Sequence, residues 1–161
     1  MKELTIAVVG ATGAVGQEIL KVMAERKIPY KELRLLASKR SAGTEIEYQG
    51  KTYTVQETTE NSFDDVDLAL FAGGPASRAY GRIAQSKGCV VIDNSSTFRL
   101  EPDVPLVVPE VNPEALKDHK GLIANPNCST ILLVSALYPL YKKSKVKRVI
   151  VSTYQAVSGA G

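Results

Sequence analysis

Apolar positions along the chain alternate between two rhythms. Leu4–Val9 (LTIAVV) is a continuous β-branched run that stops at Gly10, the signature of a parallel strand buried on both faces. From Gly13 to about Arg26 the apolar residues Val15, Ile19, Leu20, Val22 and Met23 recur at helical spacing, and Pro29 ends that helix. Leu33–Ala37 reads as a second strand. Glu45–Tyr48 and Lys51–Val55 alternate around Gln49-Gly50 and predict a hairpin. Val66–Phe71 predicts a further buried strand ending at Gly73-Gly74-Pro75, with Ser77 capping a helix that runs to about Lys87. Val90–Ile92, Leu106–Val108 and Leu122–Ala124 are shorter strand candidates. Ser129 to about Tyr141 reads as helix, and Val146–Thr153 as a final strand.

Strands that alternate with helices specify an α/β fold, a Rossmann-type mostly parallel sheet with helices on both faces. The last strand has no helix after it in the sequence. The expectation is therefore an N-terminal portion of a longer protein: a Rossmann-type domain over 1–127 and the start of an α+β catalytic and dimerisation domain over 128–161.

Composition narrows the function classes. With 161 residues, 44% hydrophobic and 23% charged, the chain has the balance of an ordinary globular domain. The net charge of +3 is scattered except for Lys142, Lys143, Lys145, Lys147 and Arg148, which read as a solvated helix end rather than a nucleic-acid face. No apolar run has the length of a membrane span, and no signal-peptide pattern opens the chain, so a cytoplasmic location is expected. The two cysteines, Cys89 and Cys128, have no metal-type spacing, and no metal site is expected.

Gly10-Ala11-Thr12-Gly13-Ala14-Val15-Gly16 lies between the first strand and the first helix. Glycines at this spacing permit a tight turn and a close backbone approach to a pyrophosphate, which the helix N-terminus then binds. The second strand ends in Ser38-Lys39-Arg40-Ser41, without the acid that bonds the ribose of NAD. A guanidinium and short hydroxyls suit a 2′-phosphate, so the cofactor expected is NADP, read by Ser38, Arg40 and Ser41. Pro126-Asn127-Cys128-Ser129-Thr130 leads into an apolar helical run, which puts Cys128 at a helix start where a thiolate nucleophile is favoured. Cys89, within Gly88-Cys89-Val90-Val91-Ile92, reads as an ordinary buried thiol. Arg99, in the polar turn Asp93–Arg99, is a candidate for a substrate phosphate or carboxylate, whereas His119 reads as a surface histidine.

The ordered set AVVGATGAVG, ASKRSAG, FAGG, VIDNSSTFR, VPEVN, PNCST and YQAVSGAG covers nearly the whole chain and resembles the aspartate-semialdehyde dehydrogenases. The resemblance implies NADP-dependent reductive dephosphorylation of aspartyl phosphate to aspartate semialdehyde through a cysteine thioester, on the route to lysine, threonine, methionine and diaminopimelate. It implies that Cys128 is the nucleophile and that Gln155 orients the substrate. Gly10, Thr12, Gly13, Ala14, Val15 and Gly16 would hold the pyrophosphate, with Gly73, Ser95, Ser158 and Gly159 completing the cofactor set. Asn94, Arg99 and Asn127 would meet substrate or phosphate. The family's acid/base histidine and substrate-carboxylate arginine are expected beyond Gly161, and a homodimer is expected of the full-length protein. Two other readings stand beside it. One is an N-acetyl-glutamyl-phosphate reductase, although that family usually has Gly where Asn127 precedes Cys128. The other is an NADP-binding module inactive as a fragment.

Overall fold

The structure, a computed structural model, describes residues 3–154. Its elements are β1 (Leu4–Val9), α1 (Ala14–Glu25), β2 (Tyr30–Ala37), β3 (Glu45–Tyr48), β4 (Lys51–Thr54), β5 (Gln56–Glu57), β6 (Leu68–Phe71), α2 (Gly74–Ser86), β7 (Val90–Asp93), β8 (Leu122–Ala124) and α3 (Cys128–Lys143). Six strands form one all-parallel sheet in the order β5-β2-β1-β6-β7-β8, and β3 and β4 pair as a separate antiparallel hairpin. The chain starts in the middle of the sheet, winds to one edge, then returns past β1 to the other. This is the doubly wound order of a Rossmann sheet, and β1/β6 is its switch point.

Alternate residues of β1 face different cores. Ile6 and Val8 pack with Leu20 and Met23 of α1 and with Tyr48 and Val55 around the hairpin. Ala7 and Val9 pack with Phe63, Phe71, Val91 and Ala84 of α2. The period-2 pleat thus puts a helix on each face, as expected. Phe63 and Phe71 stack at 5.7 Å in the second core.

Registration across the sheet aligns Leu36, Val9, Phe71, Asp93 and Ala124 as one row at its carboxyl edge. Gly10, Ala37-Ser38, Ala72-Gly73, Asn94 and Asn125 therefore emerge side by side. Parallel sheets bind ligands at this edge.

Several elements differ from the sequence expectation. The segment 146–153 is not a strand; residues 145–154 have no regular structure and are largely exposed. A β-branched run becomes a strand only against a neighbour to pair with, and among the described residues it has none. Leu106–Val108 contributes a single bridge, Leu106 to Ala124, because Pro105 and Pro109 bracket it and remove ladder donors. Ser77 does not cap α2. The helix begins four residues earlier than a Ser77 cap would start it, with Gly73 as its cap and Pro75 in its first turn, where a missing N–H costs nothing. Val66 ends a turn instead of opening β6. β2 starts already at Tyr30, directly after Pro29.

Candidate active site

The glycine turn is held in shape by its own backbone. Gly10 and Ala11 both donate to the Leu36 carbonyl (2.8 and 3.1 Å), and Gly13 donates to Gly10 (3.0 Å). Gly10 has φ +85°, a conformation that favours glycine. A side chain at Gly16 would put a Cβ 2.8 Å from the Ala11 Cα and closer still to the Gly10 carbonyl oxygen, so only glycine lets α1 approach the turn. Gly13 caps α1 without a side-chain bond, and no acid lies in its first turn. Among the described residues, the amides of Ala14, Val15 and Gly16 find no acceptor. The positive end of α1 is therefore uncompensated and faces a cleft, the electrostatic arrangement that binds a phosphate.

That cleft, about 760 Å³, opens at the β1/β6 switch point. Gly10, Thr12, Gly13, Ala14, Val15 and Gly16 form its floor and one wall. Ser38, Lys39, Arg40 and Ser41 line a second wall, and Gly73 with Pro75, Ala76 and Tyr80 a third. The basic turn is a single 3-10 turn, Lys39–Ser41, in which neither Lys39 nor Arg40 has an ion-pair partner among the described residues. Val15 is 48% exposed, an apolar surface turned to solvent at the mouth of a binding cleft. Size, free amides and unpaired cations together fit a dinucleotide. Sequence reasoning missed Glu57 and Thr58 on the same rim. They arrive through β5, a two-residue polar strand with no hydrophobic signal, which pairs with the end of β2.

Ser95 is not part of the cleft lining; it lies behind Gly74, whose Cβ, if present, would come 3.8 Å from that of Ser95. Its hydroxyl is used inside the loop that follows β7, where it donates to Asp93 (2.8 Å) and accepts from the Thr97 amide (3.1 Å).

A second cluster joins the ends of β7 and β8. Asn125 donates through its side chain to Asn94 (2.6 Å) and through its amide to the Asp93 carbonyl (2.8 Å). Arg99 donates from Nε to the Asn125 carbonyl (2.9 Å) and from Nη2 to the Asn94 carbonyl (3.1 Å). Arg99 has no carboxylate partner among the described residues, so its charge is balanced by neutral carbonyls alone. Phe98 anchors the same loop by packing on Gly81, where a Cβ would come 2.6 Å from the ring. Arg82 lies over that ring at 5.4 Å and forks onto Asp103 (2.7 and 2.9 Å).

Asn125 leads through Pro126 to Asn127 and Cys128. Asn127 caps α3 with its Oδ1, which accepts from Ser129 (3.0 Å) and Thr130 (3.3 Å). Cys128 is the first residue of that helix and is exposed. Cys89 is the opposite case. It is 1% exposed, and burial, reinforced by the nearby Asp67, pushes its thiol up to about 12. The two thiols thus separate as the sequence implied, one accessible at a helix start and one inert. His119 is half-buried, with its Nδ1 accepting from the Gly121 amide (3.1 Å). Gln155, Ser158 and Gly159 lie outside the described residues.

Comparison with known proteins gives this geometry a context. The family described as "Semialdehyde dehydrogenase, NAD binding domain" matches residues 5–119. The aspartate-semialdehyde dehydrogenase of Aquifex aeolicus is 59% identical over 160 residues, which are 97% of this chain and 47% of that protein. The enzyme of the same name from Prochlorococcus marinus is 55% identical over 161 residues, 99% of this chain and 47% of that protein. The chain thus spans about half the length of these curated relatives. Among solved structures, aspartate semialdehyde dehydrogenase II from Vibrio cholerae superposes with a TM-score of 0.94 at 50% identity, covering 99% of this chain and 49% of that one. An aspartate semialdehyde dehydrogenase with NADP from Candida albicans gives 0.69 at 27% identity over 90% of this chain and 48% of that one. The doubly wound sheet, the glycine turn on an uncompensated helix and the matching family together establish that the chain belongs to the semialdehyde dehydrogenases and carries their NAD-binding domain.

Proposed function

We propose that the protein containing this chain is an NADP-dependent aspartate-semialdehyde dehydrogenase, with Cys128 as nucleophile. The observation that carries the reading is an exposed thiol at the start of α3, on the same carboxyl edge of the sheet as the dinucleotide cleft and the Arg99 cluster. Relatives of that name match almost every residue of the chain.

The assignments follow from chemistry. The amides at the start of α1 take the pyrophosphate. Arg40, Ser38 and Ser41 take the 2′-phosphate, which favours NADP over NAD. In the reductive direction, the Cys128 thiolate attacks the acyl carbon of aspartyl phosphate, the carbon–oxygen bond to phosphate breaks, and a thioester forms. NADPH supplies the hydride that reduces this thioester. The resulting hemithioacetal then releases aspartate semialdehyde and the free thiolate. Arg99, with Asn94, holds the anionic phosphate as it leaves or attacks. Gln155 is assigned to orient the substrate, and Ser158 and Gly159 are assigned to the cofactor set. The full-length protein works as a homodimer in the cytoplasm, in the synthesis of lysine, threonine and methionine.

The test is turnover by the full-length protein, followed as NADPH formation from NADP+, phosphate and either aspartate semialdehyde or N-acetylglutamate semialdehyde. Oxidation of the first alone is expected, with a fall of about 10³-fold or more in Cys128→Ser. Oxidation of the second substrate instead would transfer the protein to the reductase reading. NADP+ binding without turnover of either would make it a binding module.

A further inference from the structure

A fully buried carboxyl near the site is one that the chemistry above does not use. Asp93 ends β7 and is 0% exposed. It has no cation within 4.0 Å among the described residues. Its partners are a hydroxyl–amide cradle: Ser77 Oγ at 2.5 Å, the Ser95 amide at 3.1 Å and Ser95 Oγ at 2.8 Å. Ser77 is itself fully buried in α2 and also bonds the Gly73 carbonyl (2.9 Å). Ser95 passes the contact on to Thr97, whose amide and hydroxyl both meet Ser95 Oγ. Burying a carboxyl among neutral donors is costly, and an apolar residue would complete this core more cheaply. The position needs acceptors in two directions at once.

Those directions are informative. Oδ1 accepts both from Ser77 of α2, the helix whose first turn lines the dinucleotide cleft, and from the Ser95 amide. Oδ2 accepts from the Ser95 hydroxyl, a second hold on the loop 94–99, which delivers Asn94 and Arg99 to the end of β8. The Asp93 carbonyl meanwhile accepts from Asn125, three residues before Cys128. We propose that Asp93 is a positioning residue: by tying Ser95 to Ser77 it fixes the loop 94–99, and so sets Arg99 and Asn94 for the phosphate. It touches neither substrate nor cofactor and acts through the loop. This rests on the function proposed above for its consequence in turnover, but its structural half can be read separately.

The experiment uses the full-length protein with Asp93→Asn, which keeps size and removes one acceptor, and with Ser77→Ala, which removes only a buried hydroxyl. Two readouts are taken. Amide hydrogen exchange at Ser95 and Thr97 reads the loop directly, with β1 and α1 as internal controls. Steady-state rates with aspartate semialdehyde read the KM for phosphate, and calorimetry reads the Kd for NADP+. The expected result is exchange at Ser95 and Thr97 faster by about tenfold or more, unchanged exchange in β1, a phosphate KM raised about tenfold or more, and a Kd for NADP+ within about threefold of wild type. Ser77→Ala moves in the same direction by less, and keeps the test open should Asp93→Asn fail to fold. Unchanged exchange in the loop overturns the proposal. Faster exchange with an unchanged phosphate KM also overturns it, since the anchor would then serve stability alone. A wild-type protein that turned over no aspartate semialdehyde would instead sink the function proposed above, and would reveal itself before any variant was compared.

Discussion

Removal of the Arg40 guanidinium separates the two nicotinamide cofactors. Arg40 is exposed on the cleft wall and makes no ion pair among the described residues, so Arg40→Ala breaks nothing within the fold. On the function proposed above, what it removes is a charge-assisted contact to the 2′-phosphate, a type of bond that contributes about 1.5–3 kcal/mol. Solvent screening at an exposed rim favours the lower half of that range. At about 1.4 kcal/mol per factor of ten, the Kd for NADP+ rises about 10- to 40-fold. NAD+ has no 2′-phosphate, and its Kd changes by less than about threefold. Arg40→Lys recovers part of the loss, because a point charge replaces the ion pair but not the planar fork. The assay is calorimetric titration of both cofactors at low and high salt, and the NADP+ advantage shrinks as salt rises. Equal losses for the two cofactors, or a preference that salt leaves unchanged, would refute the placement of the 2′-phosphate at Arg40.

Other consequences follow from the same geometry. Gly16→Ala forces a Cβ against the Gly10–Ala11 backbone; it destabilises the fold by about 1–3 kcal/mol in a thermal melt and weakens NADP+ by displacing the α1 amides. Cys128 is alkylated at neutral pH about 100-fold or more faster than Cys89, as read by peptide mapping, because one thiol is exposed and the other is buried. Cys89 also makes stability depend on alkaline pH. Its folded value near 12 lies above the ordinary 9.0, so the unfolded chain loses its proton first and stability falls as pH rises above about 9. By pH 10 the loss is about 1 kcal/mol, and denaturant titrations of Cys89→Ala show that slope reduced, the remainder coming from Tyr30 and Tyr48, which burial also raises.

Much of the site was legible in the sequence because it rests on local rules. A β-branched run followed by spaced glycines and an amphipathic helix specifies the turn, and the structure puts every glycine of that turn on the cleft. Asn127 before Cys128 places the thiol at a helix start, since an Asn side chain can satisfy the first free amides there. Other features depend on partners far along the chain. Glu57 reaches the cleft only through the pairing of β5 with β2, and Asp93 finds Ser77 across 16 residues. No spacing rule announces either. The final strand was expected from its apolar run, but among the described residues Val149, Ile150 and Val151 have no strand to pair with, and they are exposed. Ser77 looked like a helix cap because capping serines are common, yet Pro75 is tolerated in a first turn, so the helix starts earlier and Ser77 becomes a buried anchor instead.

The central claim is that Cys128 carries the acyl group. Its most direct test mixes the full-length protein with aspartate semialdehyde and NADP+ in the absence of phosphate, then quenches and maps the peptides by mass. The account predicts a burst of about one NADPH per subunit and one aspartyl group in thioester linkage on the peptide containing Cys128, released when phosphate is added. NADPH formation with no adduct on that peptide, or an adduct on Cys89, would contradict it.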